Sequence, residues 1–314
     1  MMFPATEQKI ILIIRKTRLD ELITRYNTLD QARFYIEHQG ADFSDYLDED
    51  QQYKDQVRVA REMLSDLGRL QVVDRAFVPN FLFGDQDMIV VLGQDGLVAN
   101  VLKYLDEQPV LGVNPDPSRW EGVLLPFTIS KLEQAVLLVL ENSHQVHQVT
   151  MAKAILNNGQ ILYGVNDLFI GPRSHTSARY LLQYGDQKER HSSSGIIVST
   201  GLGSTGWLRS ILAGAAGITA SVQDVSSGSS PEMDTPWDAE HLYFSVREPW
   251  PSKTSSAGVT FGKITRQQPL ILVSQMPERG VIFSDGIEED YLEFNSGTRA
   301  EITLAEKKGR LVRA

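Results

Sequence analysis

The sequence has no cysteine. Disulfide bridges, thiolate metal sites and cysteine nucleophiles are therefore excluded. No apolar run approaches the roughly eighteen residues a membrane span needs. Lys9 is followed by only a short apolar segment before Arg15 and Lys16, so no secretory leader is expected and a cytoplasmic location is. Two nucleotide and hydrolase signatures are missing as well. There is no G-x-x-x-x-G-K-[ST], which excludes an ordinary P-loop kinase. There is no G-x-S-x-G either, because Leu202 stands two residues before Ser204. Positive charge is in deficit: 30 Lys and Arg against 40 Asp and Glu leave a net charge of −10. That balance argues against a protein that coats nucleic acid. It leaves room for a small anionic ligand, since a local patch can oppose the global sign. Of the six histidines, His144 and His147 are three apart, but no nearby acid completes a metal set.

What is present is an ordinary globular composition, 42% apolar and 22% charged, over a length sufficient for two domains. One stretch organises the chain. Met88 to Leu92 is apolar without alternation, as in a parallel strand buried on both faces. A turn of Gly93, Gln94, Asp95 and Gly96 follows, and then Leu97, Val98, Val101, Leu102 and Leu105 at helical spacing. Asp95 thus stands where a buried strand hands over to a helix, the edge at which open α/β sheets bind ligands. The flanking glycines suit the approach of a phosphate chain. The alternative is that Asp95 only caps the helix.

The rest of the first half reads as strand 9–14, helices 17–26 and 29–38, an acidic turn 42–50, a helix 51–67 with Val57, Ala60, Leu64 and Leu67 on one face, a short strand 70–73, and a strand 110–113. Asn114, Pro115, Asp116 and Pro117 close that last strand in a loop at the same edge as Asp95, or in a plain proline turn. Alternating strands and helices make a doubly wound α/β domain, a Rossmann-like parallel sheet, over residues 1–126. One more helix is expected within 127–141. Beyond it, runs at 160–170, 178–184, 195–199, 241–246, 258–261, 270–273, 281–284, 291–294 and 300–304 read as strands. Residues 127–314 are thus expected to form a mainly β-sandwich domain, with a return of its last strands to the first domain as the alternative. The polar segment 221–240, with Ser and Gly at 226–230, reads as a mobile loop.

Two further motifs carry chemistry. Asn166 and Asp167 break an apolar strand run, either as a strand end or bulge or as an amide and carboxylate that hold a ligand's hydroxyls. Ser199, Thr200, Gly201, Leu202, Gly203, Ser204, Thr205 and Gly206 follow a strand and precede a helix over 207–216. Gly201, Gly203 and Gly206 match G-x-G-x-x-G, and Asp224 lies near the spacing of a ribose partner. A Rossmann unit needs a parallel strand after its helix, which is missing here. The hydroxyls and bare amides suit a phosphate or a ribose equally well; the alternative is a surface loop. Asp285 and Gly286 read as a hairpin turn.

These three segments, in this order, resemble the NAD kinases. That family carries G-G-D-G-T, N-E and S-T-P-T-G-S-T-A-Y where this sequence has Gly93-Gln94-Asp95-Gly96-Leu97, Asn166-Asp167 and Ser199 through Trp207. Lys16-Thr17-Arg18, the run from Gly112 to Pro117, and the glycines at 164 and 171 around the Asn-acid pair are similar to the mitochondrial-type members. The likeness runs from Ile10 to about Leu304. It implies an NAD kinase-like α/β plus β-sandwich fold. It implies transfer of a phosphoryl group from ATP or polyphosphate, with Mg²⁺ or another divalent metal, to the adenosine ribose 2′-hydroxyl of NAD. The partner implied is a small nucleotide, with no nucleic acid or membrane, in a homodimer or higher homo-oligomer. Carried over by motif, Asp95 is the catalytic base. Gly93, Gly96, Asn114, Asn166, Asp167, Thr200, Gly201, Gly203, Ser204 and Thr205 bind nucleotide. Two departures from the family matter: Gln94 places a Cβ where the family has glycine, and Leu97 removes a hydroxyl. A non-catalytic nucleotide-binding protein and a kinase of another hydroxylated substrate are the alternatives.

Overall fold

A computed structural model describes residues 8–223, 233 and 235–314. They form two compact units: the chain up to His147 with Arg310–Ala314, and Gln148–Gly309.

The first unit contains β1 (Lys9–Ile14), α1 (Arg18–Tyr26), α2 (Leu29–His38), α3 (Ser44–Leu67), β2 (Arg69–Asp74), β3 (Met88–Leu92), α4 (Asp95–Leu102), β4 (Pro109–Asn114), β5 (Phe127–Thr128) and α5 (Ile129–Leu140). Its strands are parallel, in the order β2-β1-β3-β4. The far side of β4 takes β5 at one end and Arg310 and Leu311 at the other. Every residue of β3 is buried, as an uninterrupted apolar run in a covered parallel sheet requires. Chain order reverses between β1 and β3, which makes the ends of those strands the topological switch point.

Residues 42–50 are a correction. They were expected as an acidic turn, but α3 already begins at Ser44. Asp42 accepts the Ser44 N–H at 2.8 Å, and arginines pair with two of the acids that follow. Arg18 and Arg119 each reach Asp45 at 2.7 Å, and Arg15 and Arg18 hold the buried Glu49. A short 3-10 helix at Arg75–Asn80, absent from the sequence reading, follows β2.

The second unit takes the chain through β6 (Val146–Leu156), β7 (Ile161–Gly164), β8 (Asp167–Pro172), β9 (Ala178–Tyr184), β10 (Gln187–Ser193), β11 (Ile196–Ser199), α6 (Trp207–Gln223), β12 (Leu242–Val246), β13 (Phe261–Ile264), β14 (Leu270–Ser274), β15 (Gly280–Ser284), β16 (Ile287–Glu293) and β17 (Arg299–Val312). One antiparallel sheet runs β13-β12-β11-β8-β15-β16. A second includes β10-β9-β14-β17, with β6 and β7. The two share one core, in which Leu168, Ile170, Val198, Phe244 and Ile282 meet Tyr180, Leu182, Leu270, Leu272 and Ile302. This is the sandwich expected from the strand runs.

The strand 258–261 is displaced to β13, which starts at Phe261. β10 was not foreseen: its sequence QKERHSS is polar because it is an edge strand, held to β9 through backbone pairing. Of the expected loop 221–240, residues 221–223 continue α6. Residues 224–232 and 234, Asp224 among them, lie outside the described residues. Among the described residues no helix is long and apolar enough to cross a membrane.

Candidate functional site

In the first unit, the turn after β3 has Gln94 as the helix N-cap residue at φ −117°, ψ 162°, with no side-chain cap bond. That is extended backbone open to any residue, so the turn needs no positive φ at position 94. Leu97 is buried at 3% exposure. A Cβ added to Gly93 would come within 2.8 Å of the Leu97 side chain, whereas one on Gly96 would meet nothing within 4 Å. Leu97 therefore fills the space beneath the turn.

Asp95 sits in the first turn of α4, half-buried, where the helix dipole favours its charge. Its Oδ1 accepts the Leu124 N–H at 2.8 Å, and its other oxygen has no hydrogen-bond partner among the described residues. So it does not serve as the helix cap: one oxygen holds the loop after β4 and the other is open. Asn114 organises that same loop. Its Nδ2 donates to the Trp120 carbonyl at 2.9 Å, and its Oδ1 accepts the Asp116 N–H at 3.0 Å. Gly122 closes the loop at φ +68°, with the space for a Cβ taken by the Asn114 amide.

At the switch point, the Tyr53 hydroxyl accepts the Arg15 N–H at 3.0 Å and donates to the Leu92 carbonyl at 2.9 Å, joining the ends of β1 and β3. Burial pushes this phenol up to about 12. A cavity of about 920 Å³ opens beside it, lined by Arg15, Lys16, Lys54 and Asp74 among others. Lys16 is exposed there with no ion-pair partner among the described residues. Thr17 is not available to a ligand, because it caps α1 in a reciprocal box with Asp20.

In the second unit, three strand ends meet. The register sets Ser199 at the end of β11 opposite Asp167 at the start of β8. Ser284 at the end of β15 stands opposite Leu168. The Asn-acid pair, the Ser/Thr/Gly loop and the Asp285-Gly286 turn therefore share one sheet edge. Asn166 lies in the bend where the chain leaves β7 for β8, so the pair is a strand end and not a bulge.

Thr200 locks the bend to the loop. Its N–H donates to the Asn166 carbonyl at 3.0 Å and its hydroxyl to the Val165 carbonyl at 2.6 Å. The same hydroxyl accepts the Gly203 N–H at 3.1 Å. Ser204 donates to the Gly201 carbonyl at 2.7 Å. Both glycines are required. A Cβ on Gly201 would lie 1.9 Å from the Pro236 carbonyl oxygen, and one on Gly203 would lie 2.0 Å from that of Asn166. Thr200 and Ser204 are buried and engaged, so what this loop offers a ligand is backbone together with the exposed Thr205.

Asp285, whose local sequence signals a hairpin turn, is part of this corner. It is a turn, with φ 55° at Asp285 and 72° at Gly286. Its carboxylate also accepts the N–H groups of Val165 and Asn166 at 3.0 and 2.6 Å, and that of Asp167 at 3.3 Å. Nothing in the local sequence points 120 residues back; only the pairing of β15 with β8 brings the carboxylate there. Asp167 is buried, and no described residue donates to its carboxylate. Desolvation first, and the neighbouring Asp285 charge second, push it up to about 7. A buried carboxylate short of donors fits a ligand that brings hydroxyl or N–H groups of its own.

No family model matches the sequence, and no curated protein matches it at the sequence level. The fold has solved counterparts. Yeast NADH kinase complexed with NADH superposes with a TM-score of 0.58 at 13% identity, over 98% of this chain and 84% of that one. An NAD kinase from Archaeoglobus fulgidus in complex with ATP does so with a TM-score of 0.55 at 15% identity, over 98% and 94%. The chain has an NAD kinase-like fold.

Proposed function

We propose that the protein is an NAD kinase-like phosphotransferase. In this reading it moves a phosphoryl group from ATP or polyphosphate to the adenosine ribose 2′-hydroxyl of NAD, giving NADP. The observation that carries the reading is the corner of the second unit. There Asn166, the donor-poor Asp167 and the loop 200–205 are drawn together by Thr200 and Asp285. In the proposal the Asp167 carboxylate accepts ribose hydroxyls, the Asn166 amide adds a further polar contact, and the backbone of the loop faces the nucleotide.

Asp95 takes the chemical step. The 2′-oxygen forms a bond to the transferred phosphorus, the bond from phosphorus to the donor's bridging oxygen breaks, and the departing ADP, or the polyphosphate shortened by one unit, carries away the electron pair. The hydroxyl proton passes to the open oxygen of Asp95. Gly93 and Gly96, beside it, leave backbone for phosphate to approach. Among the described residues no three acids or histidines could hold a metal. A divalent cation bound to the donor phosphates would neutralise phosphate charge.

Nucleotide binding without transfer is the second reading. Leu97 favours it, because a buried leucine stands where a hydroxyl would face the phosphates. The deciding experiment incubates the purified protein with NAD, ATP and magnesium and assays NADP, then repeats with polyphosphate and with NADH. NADP is the expected product. NAD binding by calorimetry without product under any donor would leave the second reading in place of the first. No binding at millimolar NAD would remove both. The proposal includes a cytoplasmic homodimer or larger assembly, which light scattering would size.

A further inference from the structure

The sandwich carries a second, separately built cavity. β9 and β10 form an edge hairpin in which Arg179 pairs opposite Ser192, and Arg190 opposite Leu181. Arg179 and Arg190 are therefore diagonal neighbours on one face of the hairpin. The segment 250–256 lies along the free edge of β10: Trp250 N–H donates to the Ser192 carbonyl and Ser256 N–H to that of Arg190, both at 2.8 Å. The segment is stiffened internally. Ser252 N–H donates to the Ser255 carbonyl at 2.9 Å, the two hydroxyls lie 2.7 Å apart, and Ser255 Oγ donates to the Trp250 carbonyl at 2.6 Å. Between hairpin and segment is a cavity of about 320 Å³, lined by both arginines, Trp250, Ser192, Ser252 and Ser255 among others.

Three features of this cavity point to a ligand. No carboxylate lines it, in a chain of net charge −10. Neither guanidinium has an ion-pair or hydrogen-bond partner among the described residues. Trp250 is 68% exposed, an indole left in water beside two cations. Paired arginines suit a phosphate group, hydroxyls can add bonds to it, and an exposed indole suits an aromatic ring. The volume lies at the lower end for small-molecule sites and exceeds what a bare phosphate needs. The adjoining cavity shares Arg179 and adds Arg279 and His175, and Glu278 is the only carboxylate across the two linings.

We propose that this cavity is a nucleotide site separate from the Asn166–Asp167 corner. It takes a phosphorylated nucleoside with its phosphates between Arg179 and Arg190 and its base against Trp250. The inference does not depend on whether the protein transfers phosphate.

The test titrates the full chain with ADP, followed by tryptophan emission and by calorimetry, with pyrophosphate and adenosine as comparisons. ADP is expected to quench emission saturably. Trp250→Phe should remove the quench but keep calorimetric binding, because a phenyl ring still stacks. Trp250→Ala should weaken ADP by about tenfold and leave pyrophosphate unchanged. Arg179→Gln with Arg190→Gln should weaken both phosphate ligands by at least about tenfold. Each arginine variant is also measured alone, with circular dichroism to establish folding. ADP binding indifferent to these substitutions, or absent, overturns the proposal. So does ADP binding no tighter than pyrophosphate and unaffected by Trp250→Ala, which would mark a bare anion site.

Discussion

Two glycine-bearing loops, one in each unit, follow a buried strand and lead into a helix, yet they use their glycines differently. In the turn 93–96, position 94 carries a glutamine in relaxed extended backbone, and a Cβ at Gly96 would meet nothing. In the loop 200–206, two glycines sit where a Cβ would lie 1.9 and 2.0 Å from backbone carbonyl oxygens. The first loop has room for a side chain at 94 and 96, and the second has none at 201 and 203. A side chain at 94 costs the fold nothing, whereas one at 203 would break the contact with Asn166.

The largest effect expected is on rate. If Asp95 accepts the ribose proton, Asp95→Asn should lower NADP formation by ~10²–10⁴. NAD affinity and melting temperature should change little, because the amide oxygen still accepts the Leu124 N–H. Turnover near wild type would reduce Asp95 to a tether for the loop after β4.

The steric contrast is broken next. Gly203→Ala should destabilise by at least about 3 kcal/mol in a thermal or urea melt, since the obstructing atom is backbone and cannot rotate away. Gly96→Ala should be neutral or stabilise by up to about 1 kcal/mol. Equal effects at the two positions would erase the distinction between the loops.

The third prediction concerns Asp167. Its folded pKa of about 7 lies above the unfolded value. Below about pH 4 both states hold the proton and stability is unaffected. As pH rises from there to about 7, the unfolded state releases its proton first, so this group's burial increasingly costs stability; above about 7 the cost is complete. Asp167→Asn should remove that slope and raise stability at pH 8 by on the order of 2–4 kcal/mol. Denaturant melts across pH 4–8 with no difference between variant and wild type would show that the carboxylate has a donor or water access after all.

The smallest effect is at the tolerant turn. Gln94→Gly should cost about 0.5–1 kcal/mol of stability, because extended backbone gains nothing from glycine and loses entropy on folding. A rise in phosphoryl transfer in the same variant would show that the glutamine side chain hinders the donor. Leu97→Thr removes buried apolar volume and should cost more than Gln94→Gly, so the two substitutions are best measured apart.

Much of this architecture was legible because its signals are local. The run 88–92 has no alternation, since both faces of β3 are covered. The spacing 97, 98, 101, 102 marks α4. Misreadings occurred where partners came from far away. Residues 42–50 looked like a turn because five acids repel one another in isolation, whereas Arg15, Arg18 and Arg119 pair with Asp45 and Glu49 in the fold. Asp45 is held down to about 2, by Arg119 first and Arg18 second. β10 looked like loop because an edge strand needs only backbone pairing to exist.

The sequence by itself determined the two kinds of secondary structure, their order, and the positions where a short carboxylate or amide interrupts an apolar strand, because periodicity and turn chemistry act over a few residues. Only the tertiary structure decided what those polar residues do. It spent Thr200 and Ser204 on holding a loop, turned Asn114 inward to brace another, and left one oxygen of Asp95 open. It carried Asp285 across 120 residues to the amides at 165–167, and it set Arg179 beside Arg190 without an acid. The physical reason is that a hydrogen bond, a desolvated charge and a steric exclusion each depend on which atoms lie within a few ångströms, and strand register across a sheet, not nearness along the chain, settles that.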